Sequence, residues 1–241
     1  MTDGASLANP YGFIAIEGNI GAGKTTFATW LAEQTRSELM LEQFEENPFL
    51  EPFYEDPERY ALSVELTFLS DRYRQHKETL QKRNLFRPSL VADYSFAKSA
   101  IFAKANLPAP EFKLFKTMFR LMDVGMPNPE VIAILDPNRR RIRDQITRRG
   151  RSYEQGLSDD YLDKVAYGYH RHYKYARGSR VLWIDTSGVD FVANPDQAFL
   201  LAAEVLKPRK PGVYEIAIHG QSGKLANGGE TFAGCLRNAS R

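Results

Sequence analysis

The chain has 241 residues, an apolar content of 43% and a formal net charge of +2. That is enough apolar material for one core of domain size, and the near-neutral balance argues against a dedicated nucleic-acid binder, which carries a basic domain. The charge is uneven: residues 207–241 hold six Lys/Arg and two Asp/Glu, a local +4, which leaves the other 206 residues at −2.

The first segment, Met1 to Pro10, has no apolar run and is not read as a signal peptide. A strand is predicted over 12–17, and it runs into Gly18-Asn19-Ile20-Gly21-Ala22-Gly23-Lys24-Thr25. This segment fits G-x-x-x-x-G-K-[ST], the phosphate-binding P-loop. Its glycines let backbone N–H groups turn toward phosphates, Lys24 adds a point charge and Thr25 can hold Mg²⁺. A helix over 24–36, starting with Thr25-Thr26, gives the motif the context it needs. The second strand, 38–42, ends in Leu41-Glu42-Gln43. In a parallel sheet Glu42 would lie beside the P-loop, where a carboxylate can accept a hydroxyl proton; an exposed acid at a strand end is the alternative.

A long helix is predicted over 57–82, capped by Asp56 with Pro57 in its first turn. Leu62, Leu66, Leu69 and Tyr73 form its apolar stripe, and Glu65 and Arg72 share a neighbouring face two turns apart. That pair is either a ligand contact or a solvated ion pair. The third strand, 89–93, ends in Asp93, which suits the Mg²⁺ side of a phosphate site. Asp136, at the end of the fourth strand over 130–135, competes for that role, but Asp136-Pro137-Asn138 also reads as a helix-capping turn. Helices are expected over 94–105, 110–123 and 138–149. The last opens a segment with seven arginines between 138 and 154, dense enough for a lid over phosphates and also compatible with a solvated basic face. A helix over 158–177, a strand over 180–185 and a helix over 195–206 complete the pattern.

Alternating strands and helices predict an α/β fold: a doubly wound, parallel five-stranded sheet with helices on both faces, carrying an Arg-rich lid. The expected division is one domain over 1–206 and a glycine-rich basic tail over 207–241, flexible except for an isolated edge strand from Tyr214, Ile216 and Ile218. The single cysteine, Cys235, allows no intrachain disulfide, and no apolar run is long enough to span a membrane. A cytoplasmic protein with no nucleic-acid or membrane partner is expected.

Several segments together resemble the deoxynucleoside kinases. They are Phe13 to Thr26, Glu42 to Leu50, Phe53 to Tyr60, Ala92-Asp93-Tyr94-Ser95, Ile101-Phe102-Ala103 and Arg149 to Gln155. The similarity covers residues 11–206 and is greatest to the bacterial deoxyadenosine and deoxyguanosine kinases. It implies transfer of the ATP γ-phosphoryl group, with Mg²⁺, to the 5′-hydroxyl of a deoxynucleoside. Glu42 is then implied as the base, and Tyr54 and Glu154 as holders of the sugar 3′-hydroxyl. Glu65, Arg72 and Lys98 fall where the family contacts the nucleobase, unless Glu65 and Lys98 pair with each other. Arg149 and Arg151 would form the lid, and Phe191 would lie in a loop near the ATP adenine. Glu65 as acceptor and Lys98 as donor suit a purine base. A homodimer is expected. Two departures stand out: Tyr94 replaces an arginine common in the family, and Gln145 replaces a common lid arginine, for which Arg141, Arg143 or Arg148 would have to compensate. A thymidylate-type kinase and a non-catalytic kinase-like subunit are the other readings.

Overall fold

The computed structural model describes residues 7–44, 47–81 and 89–218. Six parallel strands form one sheet in the order β2-β3-β1-β4-β5-β6. They are β1 (Phe13–Gly18), β2 (Glu38–Met40), β3 (Leu90–Ala92), β4 (Val131–Asp136), β5 (Arg180–Asp185) and β6 (Gly212–Ala217). The chain leaves β1 to lay β2 and β3 on one side, then crosses to lay the remaining strands on the other. The carboxyl end of β1 therefore sits at the reversal of strand order, where such sheets bind ligands.

Side-chain alternation along the central strands divides two apolar layers. Val131, Ala133 and Leu135 of β4 face α1 (Lys24–Thr35) and α8 (Pro195–Leu206). Ile132 and Ile134 face α4 (Lys98–Asn106) and α7 (Asp159–Tyr173) on the opposite side. A third cluster joins α2 (Leu50–Glu55), α3 (Pro57–Gln81), α4 and α5 (Ala109–Asp123) through Phe53, Val64, Leu69, Ala103 and Phe115. The arginine-rich helix, α6 (Arg139–Arg149), is anchored by Ile142 and Ile146 against Leu157 and Leu162.

Four expectations need correction. The sheet has six strands, because β6 pairs with β5 in parallel from Arg180↔Gly212 to Asp185↔Ala217. The segment over 207–218 is therefore part of the sheet rather than a loose tail with an isolated strand. Residues 219–241, with Cys235, lie outside the described residues, as do Glu45 and Glu46. The short helix α2 has only six residues, too few to show a helical period. The helix expected from residue 94 starts at Lys98 because the buried Glu17 carboxylate takes both the backbone N–H and the hydroxyl of Ser95, each at 2.7 Å. On α3 the most buried positions include Ala61, Val64, Glu65, Leu69, Arg72 and His76. Glu65 and Arg72 thus occupy the inward face, while Leu62, Leu66 and Tyr73 flank it half-buried. The Asp56 cap is present, its carboxylate accepting from the Arg59 N–H at 3.3 Å.

Candidate active site

The loop after β1 has the conformation its glycines allow. Gly18 has φ +139°, and a Cβ there would collide with the Leu135 carbonyl oxygen of the neighbouring strand. Gly23, at φ +86°, caps α1 with no side chain of its own, so the first N–H groups of the helix open onto the loop. Lys24 donates to the Asn19 carbonyl at 2.8 Å. Burial, and then the nearby Lys98 charge, lower its pKa to about 8, against the opposing pull of Glu42, Glu17 and Asp93.

Three strand ends bring the acids together. The Thr25 hydroxyl donates to Asp93 Oδ2 at 2.5 Å, and Asp93 Oδ1 accepts the Glu42 N–H at 2.8 Å. These oxygen donors fit Mg²⁺, which usually takes one or two carboxylate or hydroxyl contacts and completes its shell with water and phosphate oxygens. Among the described residues no group of three His, Cys, Asp or Glu could cage a metal ion by itself. Asp136 is exposed and faces another acid, Asp185, so it does not share this arrangement.

Glu42 has both oxygens engaged. Oε1 accepts from Arg72 Nε at 2.9 Å and Nη2 at 2.7 Å, and Oε2 accepts from Lys98 Nζ at 2.5 Å. Burial works to raise this carboxyl, but the Lys98 and Arg72 charges overcome it and hold Glu42 well below the usual carboxylate range. Lys98 and Arg72, expected at the nucleobase, line the cavity and direct their charged groups at Glu42. This removes the alternative that Lys98 pairs with Glu65. Tyr94, where an arginine is common in the family, turns away from the site. Its hydroxyl donates to Gln75 at 2.5 Å, and Gln75 in turn holds the Leu41 carbonyl at 2.7 Å.

Beside these groups is a cavity of about 330 Å³, lined by the P-loop, Glu42, Glu65, Arg72, Lys98, Tyr54, Arg149, Arg151 and Glu154 among others. Two carboxylates in its wall are half satisfied. Glu65 Oε1 accepts from Asn106 Nδ2 at 2.7 Å, and Glu65 Oε2 has no partner. Burial pushes the Glu65 carboxyl up to about 7, partly opposed by Arg72 and the Asn106 hydrogen bond. Glu154 Oε1 accepts from Arg151 at 3.0 Å and from Arg149 at 3.5 Å, and Glu154 Oε2 has no partner. Buried oxygens of this kind are costly unless something donates to them. Phe68, Phe102 and Tyr161 supply apolar wall between them. Tyr54 stacks on Tyr153 at 5.4 Å on the Glu154 side.

Six of the seven arginines divide by partner. Arg139 and Arg143 bond Asp159, and Arg141 lies 3.8 Å from Asp190. Arg148, Arg149 and Arg151 line the cavity together with Gln145. Arg148 is thus the one of the three suggested substitutes that reaches the site. Phe44, which sequence reasoning passed over, lies 3.6 Å below the Arg151 guanidinium and 5.6 Å from that of Arg149. Asn106 was also missed; an amide at a helix end carries no pattern of its own. Phe191 lies in the loop before α8, its ring buried against Phe27 and directly behind Gly23 of the P-loop.

A P-loop, a carboxylate beside it and an arginine-bearing helix closing one cavity define a phosphoryl-transfer site. A family model, deoxynucleoside kinase, matches residues 14–208. Deoxyguanosine kinase of Bacillus subtilis is 32% identical over 197 residues, spanning 80% of this chain and 95% of that protein. Deoxyguanosine kinase of Lactobacillus johnsonii is 30% identical over 218 residues, spanning 84% and 95%. The deoxyadenosine/deoxycytidine kinase of B. subtilis is 29% identical over 160 residues, spanning 63% and 72%. A solved structure of deoxyadenosine kinase from M. mycoides with bound dATP shares the fold at TM-score 0.66, with 22% identity over 80% of this chain and 97% of that one. The chain belongs to the deoxynucleoside kinase family. That membership removes the thymidylate-type alternative.

Proposed function

We propose that the chain phosphorylates the 5′-hydroxyl of a purine deoxynucleoside with ATP. The observation that carries this reading is the pair of unpartnered carboxylate oxygens, Glu65 Oε2 and Glu154 Oε2, in the wall of one cavity whose third carboxylate, Glu42, lies beside the P-loop. A nucleoside offers N–H groups at one end and a 3′-hydroxyl at the other, with a 5′-hydroxyl between base and phosphate donor. Glu65 would meet the base, while Glu154 and Tyr54 would meet the sugar. The names of the relatives, two deoxyguanosine kinases among them, support a purine.

In the proposed reaction the 5′-oxygen forms a bond to the γ-phosphorus, the bond from that phosphorus to the β-bridging oxygen breaks, and ADP leaves. The hydroxyl proton goes to Glu42. Arg72 and Lys98 keep Glu42 ionised, which makes it a weak base. In a loose transition state the hydroxyl proton departs late, so orienting the hydroxyl matters as much as basicity. Lys24, Arg149 and Arg151 would neutralise charge on the phosphoryl oxygens. Mg²⁺, held through Thr25 and Asp93, would screen the phosphate charge.

A homodimer and a cytoplasmic location are part of the proposal. Leu114 and Leu121, two turns apart on α5, and Val124 just beyond it are exposed apolar side chains that a second copy would cover. No helix of the described residues is long and apolar enough to cross a membrane.

The test incubates the protein with labelled ATP and each of the four natural deoxynucleosides, with monophosphates as controls. Higher kcat/KM for deoxyadenosine or deoxyguanosine is expected. A clear preference for a pyrimidine, or labelling of monophosphates alone, would overturn it.

A further inference from the structure

Asn106 does more than neutralise half of Glu65. Its Nδ2–H group points at Oε1 at 2.7 Å, so Oε1 is already accepting a hydrogen. Oε2, the buried oxygen without a partner, is the one left free of any donor to take up a proton. Tyr161 of α7 lines the cavity beside Asn106. One carboxyl oxygen thus carries both the free acceptor lone pairs and, after protonation, the only O–H donor.

The two purines differ at one atom in a matching way. Guanine carries a hydrogen on N1 and adenine a lone pair there. Neither base changes its N1 protonation near neutral pH.

We propose that Glu65 Oε2, isolated by Asn106, reads the N1 position of the purine in two charge states: the carboxylate accepts N1–H of deoxyguanosine, and the carboxylic acid donates to N1 of deoxyadenosine. The enzyme then favours deoxyadenosine at low pH and deoxyguanosine at high pH. This rests on the purine deoxynucleoside reading above. Burial, which places the Glu65 titration at about 7, puts the change within the working range. The charged and titratable groups around Glu65 are Arg72 on its own helix, Glu42 beyond β2, Lys98 on α4, Tyr54 on α2 and Tyr161 on α7. Both cations are bonded to Glu42, and neither is bonded to Glu65 Oε2. Burial raises both tyrosines well above the ordinary phenol value. Among the acids and tyrosines of this set, Glu65 is the group whose charge changes around neutrality.

The ratio of kcat/KM for deoxyguanosine to that for deoxyadenosine is measured from pH 5.5 to 8.5. The ratio of ionised to protonated carboxyl changes about tenfold per pH unit, so the selectivity should rise by up to ~100-fold between about pH 6 and pH 8. Glu65→Gln should flatten the curve. Asn106→Leu removes a hydrogen bond that favours the carboxylate and should move the rise to higher pH. A readout without turnover is calorimetry near pH 7 in two buffers of different ionisation enthalpy. Deoxyadenosine binding should take up about half a proton, and deoxyguanosine binding should release about half of one. A flat wild-type selectivity curve, a curve unchanged in Glu65→Gln, or the same proton stoichiometry for both ligands overturns the proposal. If neither purine is phosphorylated at any pH, it is the purine deoxynucleoside reading that fails.

Discussion

At the scale of single residues, two carboxylates in one cavity are given opposite tasks by their neighbours. Glu42 is bonded by two cations and stays ionised, whereas Glu65 has one amide and burial, and titrates at about 7. Glu42→Gln keeps the shape and loses the charge that, in the proposed reaction, orients and receives the 5′-hydroxyl. Its kcat is expected to fall by ~10²–10⁴-fold with ATP binding retained, and a kcat within a few-fold of wild type would remove Glu42 from the mechanism. Glu65 makes a different prediction, about stability. Its folded pKa lies above the ordinary 4.5, so the protonated form favours folding. That contribution is complete below about pH 4.5 and is lost as pH rises through 7. Glu65→Gln should therefore gain stability relative to wild type between pH 5 and pH 8, by up to about 3 kcal/mol in the free protein. Denaturant unfolding at the two pH values measures it, and an equal difference at both would contradict the buried, titrating carboxyl. The P-loop and its Lys24 were legible in the sequence because eight adjacent residues carry the whole motif. The partner of Lys98 was not, because the contact spans 56 positions and depends on how α4 lies over β2.

At the scale of elements, α6 and the short turn after it hold the arginines in place before any phosphate contact is considered. Arg149 and Arg151 bond Glu154 and stack near Phe44. Arg151→Ala would remove the phosphate contact of the proposed reaction and also leave the buried Glu154 short of a partner. It should lower kcat and raise the deoxynucleoside KM together, which steady-state kinetics with each substrate varied in turn would reveal. An unchanged kcat/KM would make the arginines a surface feature. The edge strand β6 carries the next prediction. It pairs along six positions with β5, the Tyr11 hydroxyl donates to the Lys207 carbonyl at 2.8 Å, and Arg209 bonds Glu204. A chain ending at Leu206 would expose the β5 edge, an invitation to aggregation. It should melt below a chain ending at Ile218, and equal melting would show that β6 adds nothing. Alternation in Tyr214, Ile216 and Ile218 made a strand visible, but its partner was not: a half-buried parallel edge reads as loop when the adjacent sequence is basic and glycine-rich. The inward face of α3 was misread for a related reason. A stripe of leucines looks more buried than a glutamate and an arginine until the cavity they serve is known.

At the scale of the whole molecule, one sheet gathers the ends of β1, β2 and β3 around the P-loop, and the helical layer of α2 to α5 supplies the other half of the cavity. The exposed Leu114, Leu121 and Val124 lie on or just beyond α5 of that helical layer and are the apolar surface a second copy would cover. Light scattering at micromolar concentration should report about twice 27.4 kDa, and a value near 27.4 kDa would reject the dimer. The two unpartnered oxygens in the cavity wall also bear on how the protein behaves in a heated cell of a calorimeter or fluorimeter. Buried acceptors without donors make the free protein the less stable form, and a ligand that donates to both relieves each of them. The rise in melting temperature should therefore rank deoxynucleosides in order of fit with no ATP present, and base-only or sugar-only fragments should each recover part of it. Substrate identity becomes readable from an unfolding curve alone, without a single turnover.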